Sequence, residues 1–282
     1  MNIKRVLIRT AVVLLGLGTL FVVAAYFSLR SMGFFRAPEY DQLAPEIPDL
    51  ERPAILVLHK TNGFIHKEGI PAARAMLERI AAENGWSIFQ TDNAAVVDSD
   101  ILARFDAMIW NNTTGDILTA PQKKVFETWL TSGGSWLGLH AAGGDREYSW
   151  DWYRDSLIGA QFIGHTMSPQ FQDAEVLVAD PSNMTKHLPS PWLVKQEEWY
   201  GFDRNPRKTG SSILLALDET SYDTSETFFK ETSMPGEHPI AWTHNVGDGL
   251  IIYTGIGHQA ATYKIPEYQE FVEQALTTLI AH

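Results

Sequence analysis

Gly133-Gly134-Ser135-Trp136-Leu137-Gly138-Leu139-His140-Ala141-Ala142 spells a tight turn, a short apolar run and a small-residue elbow with a histidine at the bend. A buried strand that enters a Gly/Ala-rich turn stands one side chain clear at the carboxyl edge of a parallel sheet, where open α/β folds bind ligands. The chain contains no cysteine, which excludes thiol nucleophiles, thiolate metal sites and disulfides. The histidine is therefore the group to explain.

Upstream, Ala54-Ile55-Leu56-Val57-Leu58 is a continuous apolar run ending at His59, as expected of a strand buried on both faces. Ile70, Ala73, Met76, Leu77 and Ile80 then recur at helical spacing, with Asn84-Gly85 as a stop. Residues 86–90 and 107–110 predict the second and third strands, and Pro121 opens a helix reaching Leu130 before the elbow strand. This alternation predicts a parallel sheet flanked by helices, with right-handed crossovers. Downstream, residues 174–179, 212–217, 239–245 and 250–255 are strand-like, and Pro266 opens a closing helix of about 15 residues, near the usual length. The long loops between them are rich in Trp, Tyr and His, and loops of that length are more often functional than idle.

At the other end, residues 11–29 form an uncharged apolar stretch close to the roughly 20 residues that span a bilayer as a helix. Lys4, Arg5 and Arg9 precede it, which predicts a single-pass anchor in the cytoplasmic membrane with the domain facing the periplasm. A signal peptide cleaved near Val23-Ala24-Ala25, releasing a secreted protein, is the alternative. Residues 1–36 are read as the anchor, 37–52, with Pro38, Pro45 and Pro48, as a linker, and 53–282 as one domain. The first 36 residues hold five basic and no acidic side chains, leaving 17 basic against 34 acidic in the rest. Such a body repels nucleic acid and anionic lipid surfaces and favours neutral or cationic ligands, with which a neutral sugar is compatible.

His59, His140 and His258 each follow a predicted strand, so parallel strands would bring them to one rim. Convergent imidazoles make a metal site or a general acid/base cluster, and His140, His165 and His258 are the candidate ligands for a divalent ion such as zinc. Glu197-Glu198-Trp199-Tyr200 supplies carboxylates beside aromatics. In an extended segment Glu198 and Tyr200 share a face and Glu197 points away, so Glu198 is expected to be the acid, with its pKa raised by desolvation. Arg146, Tyr148, Trp150, Trp152 and Tyr153 crowd the segment after the elbow as a candidate carbohydrate wall, and His238, fixed by Pro239, could line the pocket. His187, His244 and His282 read as structural.

The ordered pieces Gly133 to Ala142, Trp152-Tyr153, Gly159-Ala160-x-Phe162-x-x-His165, Glu198-x-Tyr200, His238-Pro239-Ile240-Ala241-Trp242 and Tyr253-Thr254-Gly255-x-Gly257-His258 resemble the ThuA-like (trehalose utilisation) family from about Ala54 onward. The resemblance implies a flavodoxin-like, class I glutamine amidotransferase-like α/β fold in which histidine replaces the catalytic cysteine, so the chain is not a glutaminase. It also implies a role in carbohydrate catabolism, chiefly of disaccharides and their 3-keto derivatives, with His66, His140, His165, Glu198, Tyr200, His238 and His258 at the matching positions. The expected reading is a sugar hydrolase, lyase or isomerase. His140, Glu198 and Tyr200 are its catalytic groups, and His66, Trp152, Tyr153, His165, His238 and His258 contact substrate. The rival is a non-catalytic sugar-binding or assembly subunit at the membrane.

Overall fold

A computed structural model describes residues 3–144, 150–224 and 232–282. Helix α1 (Ile3–Ser31) is followed by extended chain to β1 (Ala54–Leu58), α2 (Gly69–Asn84), β2 (Ser87–Thr91), the short α3 (Ser99–Leu102), β3 (Ala107–Asn111), α4 (Ala120–Thr131) and β4 (Ser135–Leu139). β5 (Phe162–His165), β6 (Gln172–Val178), β7 (Trp192–Glu197), β8 (Tyr200–Phe202), β9 (Ser212–Leu217), β10 (His238–Val246), β11 (Gly249–Thr254) and α5 (Pro266–Ile280) complete the chain.

Nine strands form one sheet in the order β2-β1-β3-β4-β11-β10-β9-β6-β7, and β5 pairs with β8 in a separate ribbon. β2, β1, β3, β4 and β11 run parallel. From β10 outward every pairing is antiparallel. β1, β3 and β4 are buried along their whole length, because helices cover both faces of a parallel sheet. The expected α/β architecture is thus the observed one, and the apolar runs located its central strands.

Local chemistry sets the element ends. Gly85 takes a left-handed φ of 69° and its N–H reaches the carbonyls of Ala81 and Ala82, closing α2. Thr119 and Gln122 form a reciprocal capping box at the start of α4. Trp110, Trp136 and Phe126 pack together between β3, β4 and α4, with ring centroids 5.0 Å (Trp110 to Phe126) and 5.6 Å (Trp110 to Trp136) apart.

Residues 37–52 run along the domain rather than away from it. Asn62 exchanges hydrogen bonds with the backbone of Glu39, Lys60 pairs with Asp41 at 2.9 Å, Asn93 donates to the Leu43 carbonyl, and Arg104 donates to that of Pro48. Ile47 and Leu50 pack against the core. The segment read as a linker is a strap with little free length.

Candidate functional site

β4 delivers His140 to the rim, where the residue takes a left-handed φ of 48°. A left-handed backbone at a residue other than glycine costs of order 1–3 kcal/mol unless its surroundings hold it. They do: Tyr253 donates to the His140 carbonyl at 2.8 Å and Tyr153 to the Ala142 carbonyl at 2.6 Å. His140 Nδ1 donates to the Gly255 carbonyl at 2.7 Å, which leaves Nε2 with its lone pair. The Tyr200 hydroxyl donates to that nitrogen at 2.9 Å. Gly144 permits the approach, since a Cβ there would meet the Tyr200 ring at 2.5 Å.

Because β11 lies beside β4 and parallel to it, the loop after β11 brings His258 to the same rim. The loop after β1 brings His66. The ring centroids of His66, His140 and His258 lie 4.8–5.3 Å apart. His59, on the same edge, ends β1 on the far side of β3 and is not a member of the group.

Glu198 completes the cluster from the antiparallel side. Its Oε2 lies 3.1 Å from His258 Nδ1 and 3.6 Å from His140 Nε2. Its Oε1 receives Gln170 Nε2 at 2.6 Å and lies 3.1 Å from His165 Nδ1. Pairing of β5 with β8 sets His165 opposite Tyr200.

Burial alone would raise the Glu198 carboxyl, but the His258 hydrogen bond and the neighbouring imidazoles outweigh it and hold it at about 2. Burial lowers His66 and His140, which the other imidazoles reinforce, so both are neutral. Burial would also lower His258, yet its bond to Glu198 wins and raises it. Tyr200 is pushed well up by burial and by Glu198, so it remains a donor.

The expectation of a raised Glu198 is therefore corrected: Glu197 is the raised acid, pushed by burial to about 7. Glu197 does not point to solvent either. Gln196 has a φ of 53° and the β6–β7 register shifts between residues 172 and 174, which breaks the alternation and buries both carboxyls. Glu197 Oε1 accepts the amides of Glu198, His258 and Gln259, and Oε2 accepts the Thr262 hydroxyl, so it fixes the His258 loop. Simple alternation could not have identified it.

The site has two layers. His140, Glu198 and Tyr200 form an inner layer that is 0–3% exposed, whereas His66, His258, Phe64, Phe171, Met32 and Gln259 line a cleft of about 400 Å³. His66, His140, His258 and Glu198 each present a ligand atom within 4.8 Å of the others, and His66 Nδ1 has no hydrogen-bond partner among the described residues. Of the three expected metal ligands, His140 and His258 belong to this group and His165 does not.

Three other expected contacts lie elsewhere. His238 is buried behind Tyr200, with Nε2 donating to the Tyr200 carbonyl and Nδ1 2.7 Å from Glu219. Tyr153 lies under the elbow, and Trp152 stacks on Trp150 and packs against Phe126, so neither forms a wall of the cleft. Arg146 and Tyr148 lie outside the described residues. A larger cavity of about 670 Å³, between α3 and α4 at the opposite edge of the sheet, is lined by Phe105, Val125 and Trp129 and holds no histidine.

A family model described as ThuA, trehalose utilisation, matches residues 54–277. No match is found among curated proteins. Of solved structures, a ThuA-like protein from Bacteroides uniformis is similar with a TM-score of 0.70 and 21% identity, covering 84% of this chain and 95% of that one. A ThuA-like protein from Parabacteroides merdae has a TM-score of 0.57 and 16% identity, covering 82% and 90%. A β-galactosidase from Bacillus circulans sp. alkalophilus shares the fold at a TM-score of 0.50 and 11% identity over 83% of this chain but 31% of its own.

Proposed function

The chain belongs to the ThuA (trehalose utilisation) family, which gives it a carbohydrate-related role, and from that premise we propose that it is an enzyme acting on an oxidised disaccharide or 3-keto-glycoside. The observation that carries this reading is the Glu198–His258 pair at the cleft. A carboxylate on Nδ1 orients the imidazole, supports its positive charge and leaves the other nitrogen for a ligand. His258 takes a proton from the carbon beside the keto group. The freed electron pair forms a carbon–carbon double bond as the glycosidic carbon–oxygen bond breaks, and the leaving oxygen recovers the proton from His258. His66 and His165 hold the sugar, while His140 and Tyr200 keep Glu198 and its neighbours in place.

His66, His140, His258 and Glu198 also fit a divalent ion such as zinc: their donor atoms converge, and the Gly255 carbonyl fixes His140 with its Nε2 lone pair inward. Such an ion would polarise the keto oxygen, and because it would occupy the His66 and His258 nitrogens and displace the Tyr200 hydroxyl from His140 Nε2, it stands as an alternative to His258 acting as the base. A position on the periplasmic side of the cytoplasmic membrane is part of the same proposal; it is supported by one stretch of α1, Leu7–Ser31, long and apolar enough to cross a bilayer, and by the basic residues Lys4, Arg5 and Arg9 near its start. Two members of the aromatic wall that a purely sugar-binding role would use lie elsewhere, with Tyr153 buried under the elbow and Trp152 packed against Phe126.

The test is turnover of a 3-keto-disaccharide by the wild type and by His258→Ala, with divalent metal measured by elemental analysis. Loss of product in the variant, with the unfolding midpoint kept, is expected. Undiminished turnover would refute the assignment.

A further inference from the structure

The cleft has one wall that comes from outside the domain. Met32, directly after α1, lines it together with His66 and His258. The turn that carries Met32 is seated on the loop that carries His66. Ile65 N–H donates to the Met32 carbonyl at 2.8 Å, the Phe34 ring meets Phe64 edge-on at 5.9 Å, and Lys67 Nζ lies 3.4 Å from the Ser31 hydroxyl. Gly33 makes the closest approach. It has a φ of 102°, and a Cβ there would lie 1.9 Å from the Gly63 carbonyl oxygen. Phe64 in turn packs edge-on against His66 at 4.8 Å. Four contacts therefore connect the end of the apolar helix to the loop that carries a histidine of the site.

A free segment of 16 residues could reach roughly 50 Å and let the domain drift from the bilayer. Here residues 39–48 are fastened to the domain at Asn62, Lys60, Asn93 and Arg104, so the helix end and the cleft cannot separate by that route. Tyr26, Phe27, Phe34, Phe35 and Tyr40 are exposed around this junction, beside Arg30 and Arg36. Aromatic and basic side chains at the end of an apolar helix are what a membrane–water interface selects.

We propose that the turn at residues 32–35 is a built part of the site and holds the mouth of the cleft on the bilayer surface, so that the glycoside it takes is one presented at the membrane. The proposal rests on α1 being a retained membrane helix and on the cleft being the sugar site.

Its test does not read turnover, so it can fail independently of the proposed chemistry. The cysteine-free chain allows a single fluorophore to be placed at the cleft mouth by Gln259→Cys or at the opposite edge of the sheet by Ser132→Cys. The full chain is inserted into phosphatidylcholine nanodiscs in which some lipids carry a headgroup nitroxide. Quenching several-fold stronger at position 259 than at 132 is expected. Adding Gly33→Val, which must displace the turn, or Phe34→Ser, which removes one ring without touching the backbone, should bring the two positions closer together while leaving the unfolding midpoint of the domain in place. Equal quenching in the parent, quenching at 259 unmoved by both substitutions, or purification of a chain that has lost its first helix would overturn the proposal.

Discussion

The parallel and antiparallel halves of the sheet put different chemistry into one site. From the parallel half come His66 and His140, kept neutral by burial, and His258, raised by its bond to Glu198, all carried on or beyond strand ends along one rim of the sheet. From the antiparallel half come Glu198, Tyr200, His165 and Gln170, placed by a register shift, a left-handed residue and a two-stranded ribbon. The order of the parallel strands brings three imidazoles to one rim, whereas the irregular half supplies the carboxylate that sets their protonation. Neither half alone has a site.

The sharpest way to break this comparison is to remove the charge. Glu198→Gln should reduce turnover of a 3-keto-disaccharide by roughly 10,000-fold, the order seen when the carboxylate that orients a catalytic histidine is neutralised. A smaller loss than from Gln170→Ala would reverse the assigned roles. The halves should also differ in stability. Trp136→Ala empties a fully buried position in the parallel half and is expected to cost about 3–5 kcal/mol. Leu193→Ala, on the half-exposed outer strand, should stay within about 0.5 kcal/mol. Urea titration of both variants measures the contrast, and similar costs would show that the outer strands hold as much of the core.

Tyr200→Phe deletes a direct hydrogen bond between the halves, from its hydroxyl to His140 Nε2, and should cost about 1 kcal/mol. Its signature is a shift in the pH–rate profile. A purely structural role for the hydroxyl would change the unfolding midpoint and leave that profile where it was.

The smallest expected effect is a shared acid sensitivity. His59 is held at about 4 by burial and by Arg74, and His244 is also lowered by burial, one in each half. The unfolded chain takes up these protons first, near pH 6.5. Their contribution is therefore full above pH 6.5 and is lost as pH falls towards 4. Urea midpoints between pH 7.5 and 4 should fall, and His59→Phe should flatten part of the slope. A midpoint constant across that window would contradict the buried, neutral state of both rings.

Legibility follows the same division. Ala54–Leu58 and Ser135–Leu139 are apolar because both faces of a parallel strand are covered, so composition alone locates them and the histidines at the rim. β5, β7 and β8 left no such trace. β7 is half-exposed and alternates only until Gln196, so the rule that turned Glu197 outward failed where the backbone departed from a strand. Trp152 and Tyr153 look alike in a wall or a core, and only the position of Phe126 and the elbow distinguishes the two. Which carboxyl is ionised depends on where His140, His165 and His258 point, and spacing along the chain does not carry that.

The central position of β11 has a consequence for biosynthesis. It bonds to β4 on one side and to β10 on the other, although it is the last strand to leave the ribosome. Long-range pairing of this kind is slow and leaves strand edges unsatisfied until the late partner arrives. Residues 1–248 are thus synthesised before residues 249–258 zip the two halves together, and any polypeptide stalled short of them would lack His258 and the site with it.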